Sequence, residues 1–233
     1  MALFVLGDPH LSLGASKPMD IFPGWNDYVD RLEKNWRKLI TPQDTIVLAG
    51  DISWAMRLTD TRKDFAFLQQ LPGQKIIMKG NHDYWWNTVS KMKRMTDNAF
   101  EFIFNSALSV ENIALAGTRG WIPETSKKIT EEDKVIILRE QGRLERSLIE
   151  AEKFNCEKIF AILHYPPFDE QRRPTKMMEI MKSHGVTDCI YGHIHGKQNF
   201  NNLPKELEGI QLHLTSSDYL NFKPLLLTEW NES

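Results

Sequence analysis

The 233 residues include only two cysteines, Cys156 and Cys189, too few for a disulfide framework. No stretch approaches the ~18 consecutive apolar residues of a membrane span. The apolar start, Ala2 to Leu6, lacks a basic flank and stops at Gly7-Asp8, which is too short for a secretory signal. These absences together predict a cytoplasmic protein that does not enter the membrane. Charge of one sign is missing too. Against 31 acidic residues stand 29 Lys and Arg, a formal net charge of −2. There is no basic excess to recruit nucleic acid or an anionic membrane surface. Repeats, low-complexity tracts and linkers are absent. With 41% hydrophobic and 26% charged residues, collagen-like and disordered classes are excluded. The expectation is a single domain over residues 1–233.

What is present alternates. Short apolar strands are predicted at Ala2–Leu6, Thr45–Ala49, 75–79, Lys158–Leu163 and 187–191. Amphipathic helices are predicted at 25–40, 62–71, 84–95, 130–154 and 174–183, from apolar residues at helical spacing. Thr130 and Asp133 look like a capping box. Consecutive β signals fill 101–105, Ala107–Val110 and 113–117, with Glu111-Asn112 as a hairpin turn. Further strands are predicted at 210–216 and 223–230. The first half reads as parallel βαβ units; the middle and the C-terminal part add a second, partly antiparallel sheet.

The unusual residues follow the strands. Gly7-Asp8-Pro9-His10, Gly50-Asp51, Gly80-Asn81-His82-Asp83, His164 and Gly192-His193-Ile194-His195 each come directly after a predicted strand. Five of the seven histidines lie in these segments. Carboxyl ends of strands are where open α/β sheets bind ligands. If Asp8-Pro9-His10 and His193-Ile194-His195 are extended, each i, i+2 pair projects to one side and can close on one ion. Carboxylate, amide oxygen and imidazole together suit borderline divalent ions such as Mn, Fe, Zn or Ni. Asp8, His10, Asp51, Asn81, His164, His193 and His195 are too many ligands for one ion. Two ions bridged by a carboxylate use them naturally.

This order of motifs resembles the calcineurin-like metallophosphoesterase superfamily, over Asp8 to His195. The resemblance implies an α/β fold, a four-layer α/β/β/α sandwich with two mixed β-sheets. It implies that Asp8, His10 and His195 hold one metal, that Asn81, His164 and His193 hold the second, and that Asp51 bridges. His82 is then the residue that contacts substrate and protonates the leaving group, and Asp83 orients it. The activity implied is hydrolysis of a phosphoric mono- or diester by a metal-bridging hydroxide. The sequence departs from the family's protein phosphatases, which carry Asp-Arg-Gly soon after the Gly-Asp motif. Here Ile52-Ser53-Trp54-Ala55-Met56-Arg57 comes after Asp51, and the phosphate-clamping arginine is missing from its usual place. A small-molecule phosphoester is the expected substrate. Two other readings retain the fold: a scaffold that binds protein, and a hydrolase of a non-phosphorus ester.

Several residues near the motifs remain two-sided. Trp54, Tyr84, Trp85, Trp86 and Trp121 suit packing of helices on a sheet or stacking of an aromatic substrate. Arg57 and Arg119 are surface arginines or phosphate contacts. Arg119, opening the long loop 118–129, is the better candidate. His184 is expected at a helix end, and His213 on one face of a strand.

Overall fold

A computed structural model describes residues 1–230. In chain order the elements are β1 (Ala2–Leu6), α1 (Tyr28–Leu39), β2 (Thr45–Ala49), α2 (Arg62–Gln70), β3 (Gln74–Met78), α3 (Val89–Met95), β4 (Phe100–Ile103), β5 (Ala107–Val110), β6 (Ile113–Thr118), α4 (Glu131–Glu152), β7 (Lys158–Leu163), α5 (Lys176–Ser183), β8 (Val186–Tyr191), β9 (Glu206–Leu207), β10 (Ile210–Leu214) and β11 (Leu225–Glu229). They form two compact units, Met1–Phe102 with the segment from Thr215, and Ile103–Leu214. Each has its own mixed sheet and helices, the α/β class expected.

The first unit's sheet runs β11-β1-β2-β3-β4. β1, β2 and β3 are parallel, and β11 is antiparallel to β1. The strands read as unbroken apolar runs because both faces are buried. Phe4, Leu6, Ile46, Leu48 and Ile77 share one cluster with Leu32 and Trp36 of α1, Phe65 and Leu68 of α2, and Met92 of α3. Leu3, Val5, Val47 and Ile76 alternate with them and are buried too. α1 starts three residues later than its apolar spacing predicts. Asp27 takes a left-handed φ of 51°, so Trp25 is buried in the preceding turn instead. The predicted helix 84–95 shrinks to α3. Trp85 Nε1 donates to Asp83 Oδ1 at 2.9 Å, which fixes the segment before Thr88 as a loop. A carboxylate clamps this unit's strands: Asp44 accepts from Ala2 N at 2.7 Å and from Thr41 N at 2.7 Å and Thr41 Oγ1 at 2.8 Å.

The second unit's sheet runs β5-β6-β7-β8-β10-β9. β6, β7, β8 and β10 are parallel. β5 pairs antiparallel with β6 through the expected hairpin, with Glu111 at φ 51°. Ala114, Ala116, Ala161, Leu163, Cys189, Tyr191, Leu212 and Leu214 pack with Leu144 and Leu148 of α4 and Met178 and Met181 of α5. Thr130 and Asp133 make the capping box at the start of α4. β9, too short to signal itself in sequence, pairs antiparallel with β10. Among the described residues no helix is long and apolar enough to cross a membrane.

Candidate metal centre

In the first unit, β1, β2 and β3 lie side by side and parallel, so the segments after Leu6, Ala49 and Met78 emerge at one edge of the sheet. The loops after β1 and β2 continue to pair. Asp8 N donates to Gly50 O at 2.9 Å, His10 N to Asp51 O at 3.0 Å, and Leu11 N to Ile52 O at 2.9 Å. Thr215 O and Ser217 Oγ hold Gly7 by its N–H and carbonyl, both at 2.7 Å.

The expectation of an extended Asp8-Pro9-His10 is wrong. Asp8 has φ 53° and His10 φ 45°, with Pro9 between two left-handed residues. Asp51 has φ 51°, directly after Gly50 at φ 92°. His193 in the second unit has φ 71°, so that pair is not extended either. The pairing of the loops after β1 and β2 imposes the shape in the first unit. Left-handed backbone costs a non-glycine residue about 1–2 kcal/mol, and such strain concentrates at functional sites.

The side chains nevertheless converge. Asp8, His10 and Asp51 are 0%, 3% and 2% exposed. His10 Nε2 is 3.7 Å from Asp51 Oδ2. Asp8 offers an oxygen within 4.8 Å of a ligand atom of His10, and likewise of an Asp51 oxygen. Two carboxylates this close and this buried are unfavourable together unless protonated or neutralised by a cation. The donor set thus fits a divalent ion.

The loop after β3 is built onto this cluster. Gly80 lies where any Cβ would stand 2.1 Å from Asp51 Oδ1 and 2.2 Å from Asp51 N. Asn81 comes next. His82 N donates to Asp51 Oδ1 at 2.7 Å, while its ring lies 4.5 Å from that of Trp54 and 5.8 Å from that of His10. Asp83 is fully buried. It accepts from Gly80 N at 2.7 Å, Ile52 N at 2.8 Å, Ser53 N at 3.3 Å and the Trp85 indole. Asp83 therefore ties the loop bearing His82 to the loop bearing Asp51. Sequence reasoning missed Asp64 of α2. Its carboxylate accepts Ser53 Oγ, and Leu13 N at 2.7 Å, bracing the loops after β2 and β1. Burial raises its pKa against those hydrogen bonds. Nothing in a helix-start aspartate signalled that role.

In the second unit the parallel ends of β7 and β8 carry His164 and the segment 192–195. Gly192 N donates to His164 O at 3.1 Å. His164 is fully buried, and its ring lies 5.2 Å from that of His193, inclined at 73°. Tyr165 leans on His193 at 4.1 Å. His195 is half-buried, and its carbonyl accepts Asn199 Nδ2 at 2.6 Å. The other histidines pair with carboxylates. His184 contacts Glu152 and Glu145 at 2.7 and 3.2 Å, and His213 contacts Asp188 at 2.8 Å.

The aromatics divide. Trp85 is core, edge-on to Phe65 at 5.1 Å, and Trp86 packs on Phe102. Trp54 stacks on His10 at 4.9 Å. Trp121 leans on Tyr165 at 5.4 Å. Tyr84 and Arg57 are exposed.

Residues 1–197 match the sequence model of the calcineurin-like phosphoesterase family. No curated protein sequence matches significantly. Among solved structures, the chain resembles the protein of unknown function AQ665 from Aquifex aeolicus, at 17% identity and a TM-score of 0.53, over 97% of this chain and 95% of that one. It also resembles TT1561 of Thermus thermophilus, at 12% identity and a TM-score of 0.54, over 96% of each chain. A third is the phosphopantetheinyl hydrolase of Mycobacterium tuberculosis, at 13% identity and a TM-score of 0.52, over 92% and 88%. At these identities the likeness is one of fold.

Proposed function

Because the chain belongs to the calcineurin-like phosphoesterase family, we propose that it is a metal-dependent phosphoesterase with a two-ion centre, acting as one functional domain on a small-molecule phosphoric ester. The ligands are Asp8, His10, Asp51, Asn81, His164, His193 and His195. Asp51 is the bridging carboxylate, and Mn, Fe, Zn or Ni the fitting ions. The observation that supports this most is the buried pair Asp8 and Asp51 beside His10, two neighbouring carboxylates whose shared burial a divalent cation would offset.

Divalent ions, when bound, supply an acidified water as nucleophile and offset charge on the phosphoryl oxygens. The chain's own residues do the rest. Asp51 is aimed by the His82 N–H, which donates to one of its carboxylate oxygens, while the other faces the His10 ring. His82, tilted against Trp54, is half-buried and serves as the proton donor to the leaving oxygen. Asp83 and Asp64 fix the loops so that neither His82 nor Asp51 has to reorganise.

The test is hydrolysis by protein stripped of metal and reloaded with Mn. The substrates are p-nitrophenyl phosphate, bis-p-nitrophenyl phosphate and, for the non-phosphorus reading, p-nitrophenyl acetate. Metal-dependent release from a phosphate ester, abolished by chelator, is expected. A fully loaded protein that cleaves neither phosphate ester would overturn the reading and favour the scaffold.

A further inference from the structure

Arg119 is the best-placed residue of the second unit without a role so far. Thr118 of β6 pairs with Leu163 of β7, so Arg119 and His164 come next, side by side. The Arg119 carbonyl accepts the N–H groups of both His164 and Tyr165 at 3.0 Å. Its guanidinium lies over Trp121, 4.4 Å from the ring centroid. Trp121 leans on Tyr165, and Tyr165 on His193. Trp121 is pinned by its Nε1, which donates to Asp133 at 2.9 Å. A run of stacked groups thus leads from the guanidinium to two of the proposed ligands.

The charges around it do not balance. Glu140 of α4 is fully buried and accepts Thr118 Oγ1 at 2.5 Å and Arg143 Nη1 at 2.6 Å. Three guanidinium groups, those of Arg119, Arg139 and Arg143, share this one carboxylate, and of these only Arg143 hydrogen-bonds to it. Arg119 Nη2 stands 3.8 Å away, beyond hydrogen-bond reach. Arg119 Nε is buried and has no hydrogen-bond partner among the described residues. The side chain is 16% exposed. A charged donor left in this state costs free energy unless a ligand completes it. A planar guanidinium with spare N–H groups suits an oxyanion.

We propose that Arg119 is a specificity-determining residue that binds the terminal phosphoryl group of a phosphomonoester and so favours monoesters over diesters. The proposal rests on the phosphoesterase reading. A monoester presents three non-bridging oxygens and a charge of about −2; a diester presents two oxygens and about −1. With two oxygens engaged by the ions, only the monoester has one left for a guanidinium.

The experiment compares wild type, Arg119→Gln and Arg119→Lys in the full chain. It measures metal content, binding of inorganic orthophosphate by calorimetry, and kcat/KM for p-nitrophenyl phosphate and bis-p-nitrophenyl phosphate. In Arg119→Gln, with metal content unchanged, orthophosphate affinity and monoester kcat/KM should each fall by about 10–100-fold. The monoester loss should appear largely in KM, and the diester loss should be several-fold smaller. Arg119→Lys keeps a charge without the fork, so it should fall between the two. It also decides the matter if the glutamine variant fails to fold. Equal losses on both substrates, or a loss of metal, would overturn the proposal and leave Arg119 as a support for the His164 backbone. If wild type cleaves neither ester, the phosphoesterase reading fails on its own. Orthophosphate binding unchanged by both substitutions would then reject the anion site as well.

Discussion

Asp51 combines a left-handed backbone, near-total burial and a carboxylate within 4.8 Å of one from Asp8. Each is unfavourable alone, and the proposed cation would offset the buried charge. Asp51→Asn is isosteric, and its amide oxygen can still accept the His82 N–H, so the fold should survive by circular dichroism. The lost negative charge should release metal and abolish turnover; near-native metal content would contradict the assignment. Gly80→Ala tests the same carboxylate sterically. A methyl group 2.1 Å from Asp51 Oδ1 and 2.2 Å from its N has no flexible tip to displace. A loss of at least about 2 kcal/mol in denaturant unfolding, with loss of metal, is expected. His82→Ala should behave differently, since His82 is given no metal bond. Both ions should stay, and the rate should fall by about 10²–10⁴. The loss should be largest for alkyl phosphate esters and smallest for p-nitrophenyl esters, whose leaving group needs little protonation. A flat leaving-group series would reject His82 as general acid.

At the scale of elements, strand ends were the legible part. β1, β2, β5 and β7 fall where their sequence patterns predict, and β1 and β2 are buried along their whole length. Motif residues follow β1, β2 and β7 directly. The backbone path beyond the last strand residue was not legible. Asp8-Pro9-His10 departs from extended geometry because two neighbouring loops hydrogen-bond to each other, a pairing that local sequence does not encode. Asp44 and Asp64 were invisible as braces, since their partners, Ala2 and Leu13, are 42 and 51 residues away. His184 ends α5, as its place before Gly185 predicts, and it also joins α5 to α4 through Glu152 and Glu145. Burial opposes its protonation, but the two glutamates outweigh burial and raise its pKa above the ordinary 6.5. The charged form is the one the fold favours. Its contribution is complete below about pH 6.5 and is lost as pH rises through the raised value. His184→Gln should cost on the order of 1 kcal/mol at pH 6 and much less at pH 9. Thermal melts at the two pH values check this, and an equal cost at both would contradict it.

At the scale of the whole molecule, the proposed ligands divide between the two units. The first supplies Asp8, His10, Asp51 and Asn81, and the second supplies His164, His193 and His195. Each motif stands just after a strand in its own unit, and the order of the motifs along the chain carried more information than any single one. The central claim is that these seven side chains bind two ions rather than one. Elemental analysis of the full-length chain, stripped of metal, equilibrated with saturating Mn and freed of excess, tests it most directly. About two ions per chain are expected. A plateau at one ion or fewer would contradict the two-ion centre.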